Sequence, residues 1–209
     1  MNVIGFDDGP FPHAHRGDVL LVGAVCAGTR LDGVLSGKIR RDGADATRRI
    51  VDLVRGSQFS GHVRAVLLQG IAVGGFNVVD VHALSERLGM PVLVVMRRPP
   101  DLPSIRRALF SDDPPGRPRV GGARRKWRLI ERAGPVEALG AAVPSPGIFR
   151  PTGLRDRPQS LWVQRVGLSL EAARRLVAAT TLHGHVPEPL RLAHLIAGGI
   201  GAGRSRGRT

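Results

Sequence analysis

The fold is decided by the apolar run Val19-Leu20-Leu21-Val22-Gly23-Ala24-Val25-Cys26-Ala27 and by the residues on either side of it. Only Gly28-Thr29-Arg30 separate this run from a second strand-like segment, residues 31–39. A loop of that length containing glycine is typical of a β-hairpin. Upstream, residues 3–6 form a shorter apolar segment that predicts a first strand. The chain is therefore expected to begin with three antiparallel strands.

Downstream, the apolar residues recur at helical spacing from Asp45, the predicted N-cap, to Gly56, the predicted stop. Residues 63–68 and 92–96 are continuous apolar runs, as expected for strands that are buried on both faces. A second helix between them, capped by Asp80, completes a strand-helix-strand unit. The two strands of such a unit should be parallel.

The remaining elements are harder to assign. The sequence predicts a short helix over residues 101–110, a strand over 127–132, a last strand over 161–166, a helix that contains residues 170–177, and a final helix that begins near Pro187. Two Pro/Gly-rich segments, residues 112–125 and 144–158, are predicted as exposed loops, and residues 203–209 as a flexible basic tail.

This order of elements favours an α/β fold of the ribonuclease H-like kind. In that architecture a mixed sheet has antiparallel first strands and parallel later ones, with helices on both faces. A Rossmann fold would begin with strand-helix-strand instead. At 209 residues, 42% of them hydrophobic, the chain should form one domain, residues 1–209, with a full core.

The charge is unusual, with 31 basic and 17 acidic residues and a formal net charge of +14. Nearly all the basic residues are arginine, whose planar side chain matches phosphate oxygens, so nucleic acid is one expected partner. A GC-rich genome would produce the same composition without a functional demand. Cys26 is the single cysteine and should be a buried thiol. No apolar run is long enough to span a membrane and no secretory signal begins the chain, so a cytoplasmic location is expected.

The first strand ends in two adjacent carboxylates, Asp7 and Asp8, followed by Gly9-Pro10. Ligands of α/β sheets gather beyond the carboxyl ends of strands, and acidic oxygens there attract a hard cation. These residues are also ordinary turn formers, so the pair alone is compatible with a site or a turn. Asp7 has the weaker structural explanation, because it falls where a strand should bury its side chains or end.

Other polar residues at the ends of predicted elements extend this candidate site. They are Asp42, Asp45, Gln69, Gly70, Asn77 and Asp80. Taken singly, each also has a structural explanation as a helix cap, turn or loop residue. Together, such oxygens could hold Mg²⁺ or Mn²⁺ for phosphodiester hydrolysis. Phosphate-binding and dinucleotide-binding loops are absent from the sequence, and the histidine spacing does not favour zinc.

Three residues of the last predicted helix, Glu188, Arg191 and His194, share one stripe. This stripe is either a solvated surface or lies over the carboxylates. In the second case His194 would act as a proton donor or contact a phosphate.

These residues resemble the endonuclease V-like proteins of unknown function found in archaea and bacteria. The resemblance rests on five ordered motifs: residues 4–11 (Ile-Gly-Phe-Asp-Asp-Gly-Pro-Phe), 31–35 (Leu-Asp-Gly-Val-Leu), 42–47 (Asp-Gly-Ala-Asp-Ala-Thr), 70–80 with Gly-Phe-Asn-Val-Val-Asp at its end, and 187–194 (Pro-Glu-Pro-Leu-Arg-Leu-Ala-His). The resemblance implies the ribonuclease H-like fold and a distant relation to a Mg²⁺-dependent nuclease that cleaves near deaminated purines.

The resemblance carries over to individual residues only in part. Asp7 matches the nuclease's metal ligand on the first strand, and the second acidic ligand matches either Asp42 or Asp45. The third ligand, an Asp followed by Gly in the nuclease, corresponds here to Gln69-Gly70, which removes one charge. The aromatic wedge of the nuclease has no counterpart, and the chain contains no tyrosine.

Two functions follow from the sequence. One is a Mg²⁺-dependent nuclease or phosphodiesterase that acts on nucleic acid, with Asp7, Asp8, Asp45 and His194 as catalytic candidates and Asp7, Asp42 and Asp80 as metal ligands. Substrate would be bound by Gln69, Gly70, Asn77, Glu188 and Arg191. The alternative is a non-catalytic module that binds nucleic acid or nucleotides and has a depleted metal site.

Overall fold

A computed structural model describes residues 1–110, 120–140, 161–182 and 184–205 of the chain. The strands in these residues are β1 (Asn2–Asp8), β2 (Asp18–Ala27), β3 (Arg30–Arg40), β4 (Val63–Gln69), β5 (Ala72–Val73), β6 (Asn77–Val78), β7 (Val92–Met96), β8 (Glu137–Gly140) and β9 (Leu161–Val166). The helices are α1 (Ala46–Arg55), α2 (Val81–Leu88), α3 (Leu102–Phe110), α4 (Ala123–Arg132), α5 (Leu170–Thr180) and α6 (Glu188–Ala202).

Seven of the strands form one mixed sheet in the order β3-β2-β1-β4-β7-β9-β8, and β5 and β6 form a separate small hairpin. The first three strands are antiparallel, and β1, β4 and β7 are parallel, as the sequence predicted. The ribonuclease H-like fold class is therefore confirmed. The parallel part is limited to those three strands, because β9 runs antiparallel to β7 and β8 antiparallel to β9.

The predicted strand over residues 127–132 is wrong, because these residues form the second half of α4. Seven of the ten residues of α4 are Arg, Lys, Leu or Glu, which favour helices over strands. Its two buried side chains, Lys126 and Ile130, are four residues apart, which is helical spacing. The predicted loop over 112–125 also fails at its end, because α4 begins at Ala123.

The other predicted irregular segments lie largely outside the described residues. This holds for residues 112–119, for all of 144–158, and for 206–209 of the predicted tail. Within the described part of the chain, no helix combines the length and apolarity needed to cross a membrane.

The helices cover both faces of the sheet, and the alternation of β1 shows which helix covers which face. Ile4 and Phe6 pack in the core that α1 and α2 share with the sheet, whereas Val3 packs with Leu190 of α6 on the opposite face. Gly5 also faces α6. A Cβ atom at this position would lie 2.5 Å from the backbone carbon of Pro189. Helix α6 therefore lies directly against β1.

Candidate functional site

Asp7 is held at the carboxyl end of β1, on the face that α6 covers. Asp7 is only 7% exposed. The Oδ2 atom lies 2.9 Å from Nδ1 of His194, and Oδ1 accepts a hydrogen bond of 3.0 Å from the backbone N–H of Asp8. An ionised carboxylate can only accept, so Nδ1 of His194 donates and its Nε2 is left as an acceptor in the neutral ring. The two side chains form an oriented Asp-His pair.

Burial changes the acidity of both carboxylates at this strand end. It raises the pKa of Asp7, although the hydrogen bond and charge of His194 and the Asp8 N–H act in the opposite direction. Burial, and then the charge of Asp7, raise the pKa of Asp8 to about 6, against a hydrogen bond from the backbone of Gly74. Asp8 points to the opposite face of the sheet, as expected for the next residue of a strand. It does not belong to the Asp-His pair.

His194 lies on the wall of a small cavity of about 110 Å³, lined by Gln69, Arg97, Val186, Arg191 and His194. An adjoining cavity of about 230 Å³ is more apolar and is lined by Gln69, Gly70, Val95, Met96, Arg97, Val186 and Leu190. Both lie at the carboxyl ends of β4 and β7, where ligands of α/β sheets bind. The structure thus brings together four predicted site residues: Gln69, Gly70, Arg191 and His194.

Arg97 lines both cavities and was missed as a site residue. The sequence contained a usable signal, since Arg97 directly follows the last residue of β7, at the same sheet edge as Gln69. A positive side chain at the carboxyl end of a parallel strand is well positioned to meet an anionic ligand.

Glu188 supports the cavity from inside the protein. It is 2% exposed and binds the guanidinium of Arg191 through contacts of 2.6 to 3.0 Å. Glu188 raises the pKa of Arg191, mainly through its hydrogen bonds to the guanidinium and also through its charge. Glu188 is thus a positioning residue for Arg191, because it is Arg191 that reaches the cavity wall.

A second polar cluster lies on the opposite face and has a structural role. Asn77, fully buried, accepts a 3.0 Å hydrogen bond from the N–H of Ala46, the first residue of α1, and donates to Asp45 Oδ1 at 2.7 Å. Asp45 makes no side-chain cap. Its backbone is already helical, and its carboxylate turns towards Asn77 and the N–H of Arg40. Asp45 therefore occupies the predicted N-cap position but does not cap α1 through its side chain, and neither Asp45 nor Asn77 lines the cavities.

Asp42 and Asp80, the other predicted metal ligands, also satisfy local groups. Asp42 has a φ of 50° and its Oδ1 accepts from the N–H of Phe76 at 2.7 Å. Asp80 accepts from the N–H of Ala83, which confirms it as the cap of α2, and from Arg132 at 2.6 Å. Burial acts to raise the pKa of Asp80, but these hydrogen bonds outweigh it and lower the pKa below its ordinary value.

The predicted metal set of Asp7, Asp42 and Asp80 is therefore not assembled. Across the described residues, no group of three His, Cys, Asp or Glu side chains could hold a metal ion. On the α6 face, the register that pairs Phe6 with Leu68 leaves Gln69 on the strand next to Asp7. One carboxylate and one amide oxygen are a partial ligand set. Mg²⁺ often binds through one or two carboxylates, with water and substrate phosphates completing its shell.

A family model described as endonuclease dU matches residues 1–201. The chain belongs to the endonuclease dU family. A relative in Deinococcus radiodurans, a UPF0215 protein, is 48% identical over 207 residues, which cover 99% of this chain and 92% of that protein. The crystal structure of a protein of unknown function from Archaeoglobus fulgidus is 30% identical, with a TM-score of 0.78, and the match covers 95% of this chain and 97% of that one.

The endonuclease dU chain also shares its fold with endonuclease V. Endonuclease V of Ciona intestinalis, in complex with an inosine-containing DNA, matches with a TM-score of 0.56 over 92% of this chain and 81% of that one. The identity of 15% means that this likeness concerns the fold alone. The endonuclease V-like resemblance expected from the sequence motifs is thus confirmed.

Proposed function

We propose that the protein hydrolyses phosphodiester bonds in nucleic acid, with the assistance of a divalent metal, in the cavity beside Asp7 and His194. The observation that carries this proposal is the contact between the buried Asp7 and the partly exposed His194, which lines a cavity together with two arginines. The DNA-bound endonuclease V of the same fold supports nucleic acid as the substrate class.

The side chains around the cavity have separate roles in this reaction. Arg97 and Arg191 bind the phosphate, since a guanidinium can donate two parallel hydrogen bonds to phosphate oxygens. Asp7 fixes the orientation and tautomer of His194, as the buried carboxylate does in other Asp-His pairs. His194 Nε2 then takes the proton of the attacking water, or returns one to the leaving oxygen.

A divalent ion bound beside the phosphate would stabilise its charge and lower the pKa of the attacking water. Asp7 would be its carboxylate ligand and the Gln69 amide oxygen its neighbour. Among the described residues of β1 and α6 on this face, Glu188 is bound to Arg191, which leaves Asp7 as the carboxylate for an ion. The proposal therefore requires metal affinity to depend strongly on bound substrate.

Cleavage assays with purified protein test this proposal. DNA containing dU is the first substrate to test because of the family's name, and DNA and RNA with or without inosine come next. Each is incubated with Mg²⁺, Mn²⁺ or EDTA. We expect metal-dependent cleavage by the wild type and by Asp52→Asn, which changes an exposed carboxylate on α1, and none by Asp7→Asn.

The alternative function is a binding module without hydrolysis. It is favoured by Gln69, which provides no charge next to Asp7, and by the absence of a three-ligand metal group in the described residues. If no metal supports cleavage of any substrate while nucleic acid still binds in a salt-sensitive way, the hydrolase proposal is rejected and this alternative stands.

A further inference from the structure

We infer that the exposed face of α3 and α4 is the surface that holds the sugar-phosphate backbone of the nucleic acid. This inference rests on the proposed function for its choice of ligand, but its test measures binding alone. We call this surface the arginine face and define it by five exposed residues: Arg106 and Arg107 on α3, and Arg124, Arg125 and Arg128 on α4.

The arginine face lies in the most basic part of the chain. Residues 97–132 hold 11 of the 31 basic residues and 4 of the 17 acidic ones, which leaves +7 of the formal +14. Of the five arginines, none forms an ion pair with an acid among the described residues. The arginines of α5 differ in this respect, because Glu171 pairs with both Arg174 and Arg175.

The spacing on α4 gives a continuous row of charge. Arg124 and Arg128 are four residues apart and therefore lie on the same side of the helix, separated by about 6 Å along its axis. Arg132 continues the row, but it is bound to Asp80. Duplex DNA carries one negative charge per about 1.7 Å of its axis, so a row of this kind faces several phosphates at once.

Two aromatic rings fix the guanidinium of Arg106 between the helices. Its central carbon lies 5.8 Å from the centroid of Phe110 and 6.0 Å from that of Trp127. A guanidinium stacked on rings keeps its N–H groups free at its edge, where a phosphate can bind. Phe110 is 44% exposed and offers a further surface on which a base can stack.

The arginine face is anchored to the small hairpin and to the loop that follows β3. Leu109 of α3 and Ile130 of α4 pack with Val78 of the small hairpin in one apolar cluster. Lys126, 2% exposed, reaches under α4 to donate to the backbone carbonyl of Asp42. Helix α3 begins five residues after Arg97, which lines both cavities. A short stretch of chain at the carboxyl end of β7 therefore joins the cavities to the arginine face.

Binding measurements on matched double variants test this inference. Arg124→Gln with Arg128→Gln removes two charges from the arginine face, and Arg48→Gln with Arg87→Gln removes two from exposed positions on α1 and α2. Glutamine keeps the helix propensity, and a thermal melt checks folding. Affinity for a labelled duplex and for its single strand is measured in EDTA, so that cleavage plays no part, at several NaCl concentrations.

Each phosphate contact adds about 0.9 to the steepness of log K against log salt for duplex DNA. We expect the first pair to lower this slope by about 2 and to weaken binding at least tenfold, and the second pair to leave the slope unchanged. Equal losses in both pairs would overturn the inference, because net charge alone would then explain binding. Binding of the wild type to anionic lipid vesicles but not to nucleic acid would also overturn it. Neither outcome depends on whether the protein hydrolyses its ligand.

Discussion

Carboxylates at the ends of elements form two groups in this protein, and the contrast between the groups separates function from scaffolding. On the face opposite α6, Asp42, Asp45 and Asp80 accept hydrogen bonds from backbone N–H groups and from Asn77 or Arg132. On the α6 face, Asp7 contacts His194, which lines a cavity. Residues of one chemical type at similar sequence positions therefore differ in what remains for a ligand to bind.

The pKa directions show the same difference in physical terms. Asp80 gains hydrogen bonds to its charged form, and its pKa is lowered. The hydrogen bonds that Asp7 accepts do not offset the effect of its burial, and its pKa is raised. A carboxylate that is buried with a raised pKa beside a histidine and a cavity is a typical feature of reactive sites.

The largest expected effect is on the cleavage rate, which should differ between variants on the two faces of the sheet. His194→Gln removes the acceptor that Asp7 orients, and we expect the cleavage rate to fall at least about 100-fold, the usual range for a lost general base. Asp80→Asn, on the other face, should leave the rate within about twofold under conditions where it is folded. Single-turnover rates on the same metal and substrate provide the measurement. Equal losses in both variants would contradict the assignment of the site to the α6 face.

The second prediction concerns stability on the opposite face. Asn77→Ala removes the acceptor for Ala46 N–H and the donor to Asp45 and to the Arg40 carbonyl, all in a buried setting. We expect the free energy of unfolding to fall by about 3 kcal/mol, since each lost buried hydrogen bond costs about 1 kcal/mol or more. Urea denaturation measures it. Gln164→Ala, which removes the hydrogen bond that another buried amide donates to the Gly134 carbonyl, should cost clearly less.

The third prediction uses pH. The folded pKa of Asp8 is raised to about 6 from its ordinary value of 3.8, so the folded state binds more protons than the unfolded state between these values. The contribution of Asp8 to stability is therefore most favourable at low pH and is lost as the pH rises through this window. Asp8→Asn should raise the free energy of unfolding by about 3 kcal/mol at pH 8 and by little at pH 4, because one pKa unit corresponds to about 1.4 kcal/mol.

Denaturation of both proteins across this pH range checks the prediction for Asp8. Asp101 provides a control of opposite sign, since hydrogen bonds from Ser104 lower the pKa of this exposed carboxylate. Asp101→Asn should therefore give no gain at high pH. A pH-independent gain in Asp8→Asn would show that the variant acts through packing instead of charge.

The smallest expected effect concerns the cap of α2. Asp80→Ala removes the hydrogen bond to the N–H of Ala83 and the partner of Arg132, and we expect a cost of about 1 kcal/mol, typical of a lost N-cap. Thermal unfolding would show it. Ser169→Ala, which removes the equivalent cap of α5, should cost a similar amount and provides the comparison within the same chain.

The sequence predicted what depends on local periodicity and missed what depends on distant partners. Strands β1 to β4 and β7 follow from apolar patterns, and α5 and α6 from helical spacing, because burial of one face dictates those patterns. The short strand β8 carries few such signals, and α4 was misread because its four apolar residues are outnumbered by six charged ones. The sequence offered His194 over the carboxylates as one of two readings of its stripe, but residues 187 positions apart form this contact, and no local rule fixes it.

The same limit explains the assignment of Asp45. An Asp before a helical segment predicts an N-cap, and only the three-dimensional structure shows that Asn77, 31 residues away from Ala46, takes that role. Because Asn77 accepts the hydrogen bond from the N–H of Ala46, the Asp45 side chain does not cap the helix. It accepts a hydrogen bond from the Asn77 amide instead and fixes the orientation of that amide.

The hydrogen atom that serves as the side chain of Gly5 has a consequence for the chemistry two residues away. Because the backbone of Pro189 occupies the space that a methyl group would need, the spacing between β1 and α6 is set by main chain against main chain. Asp7 and His194 belong to these same two elements, so their 2.9 Å contact depends on that spacing. Even Gly5→Ala would push α6 outwards and lengthen the distance between Asp7 and His194. This substitution would therefore lower the activity, although residue 5 touches no ligand.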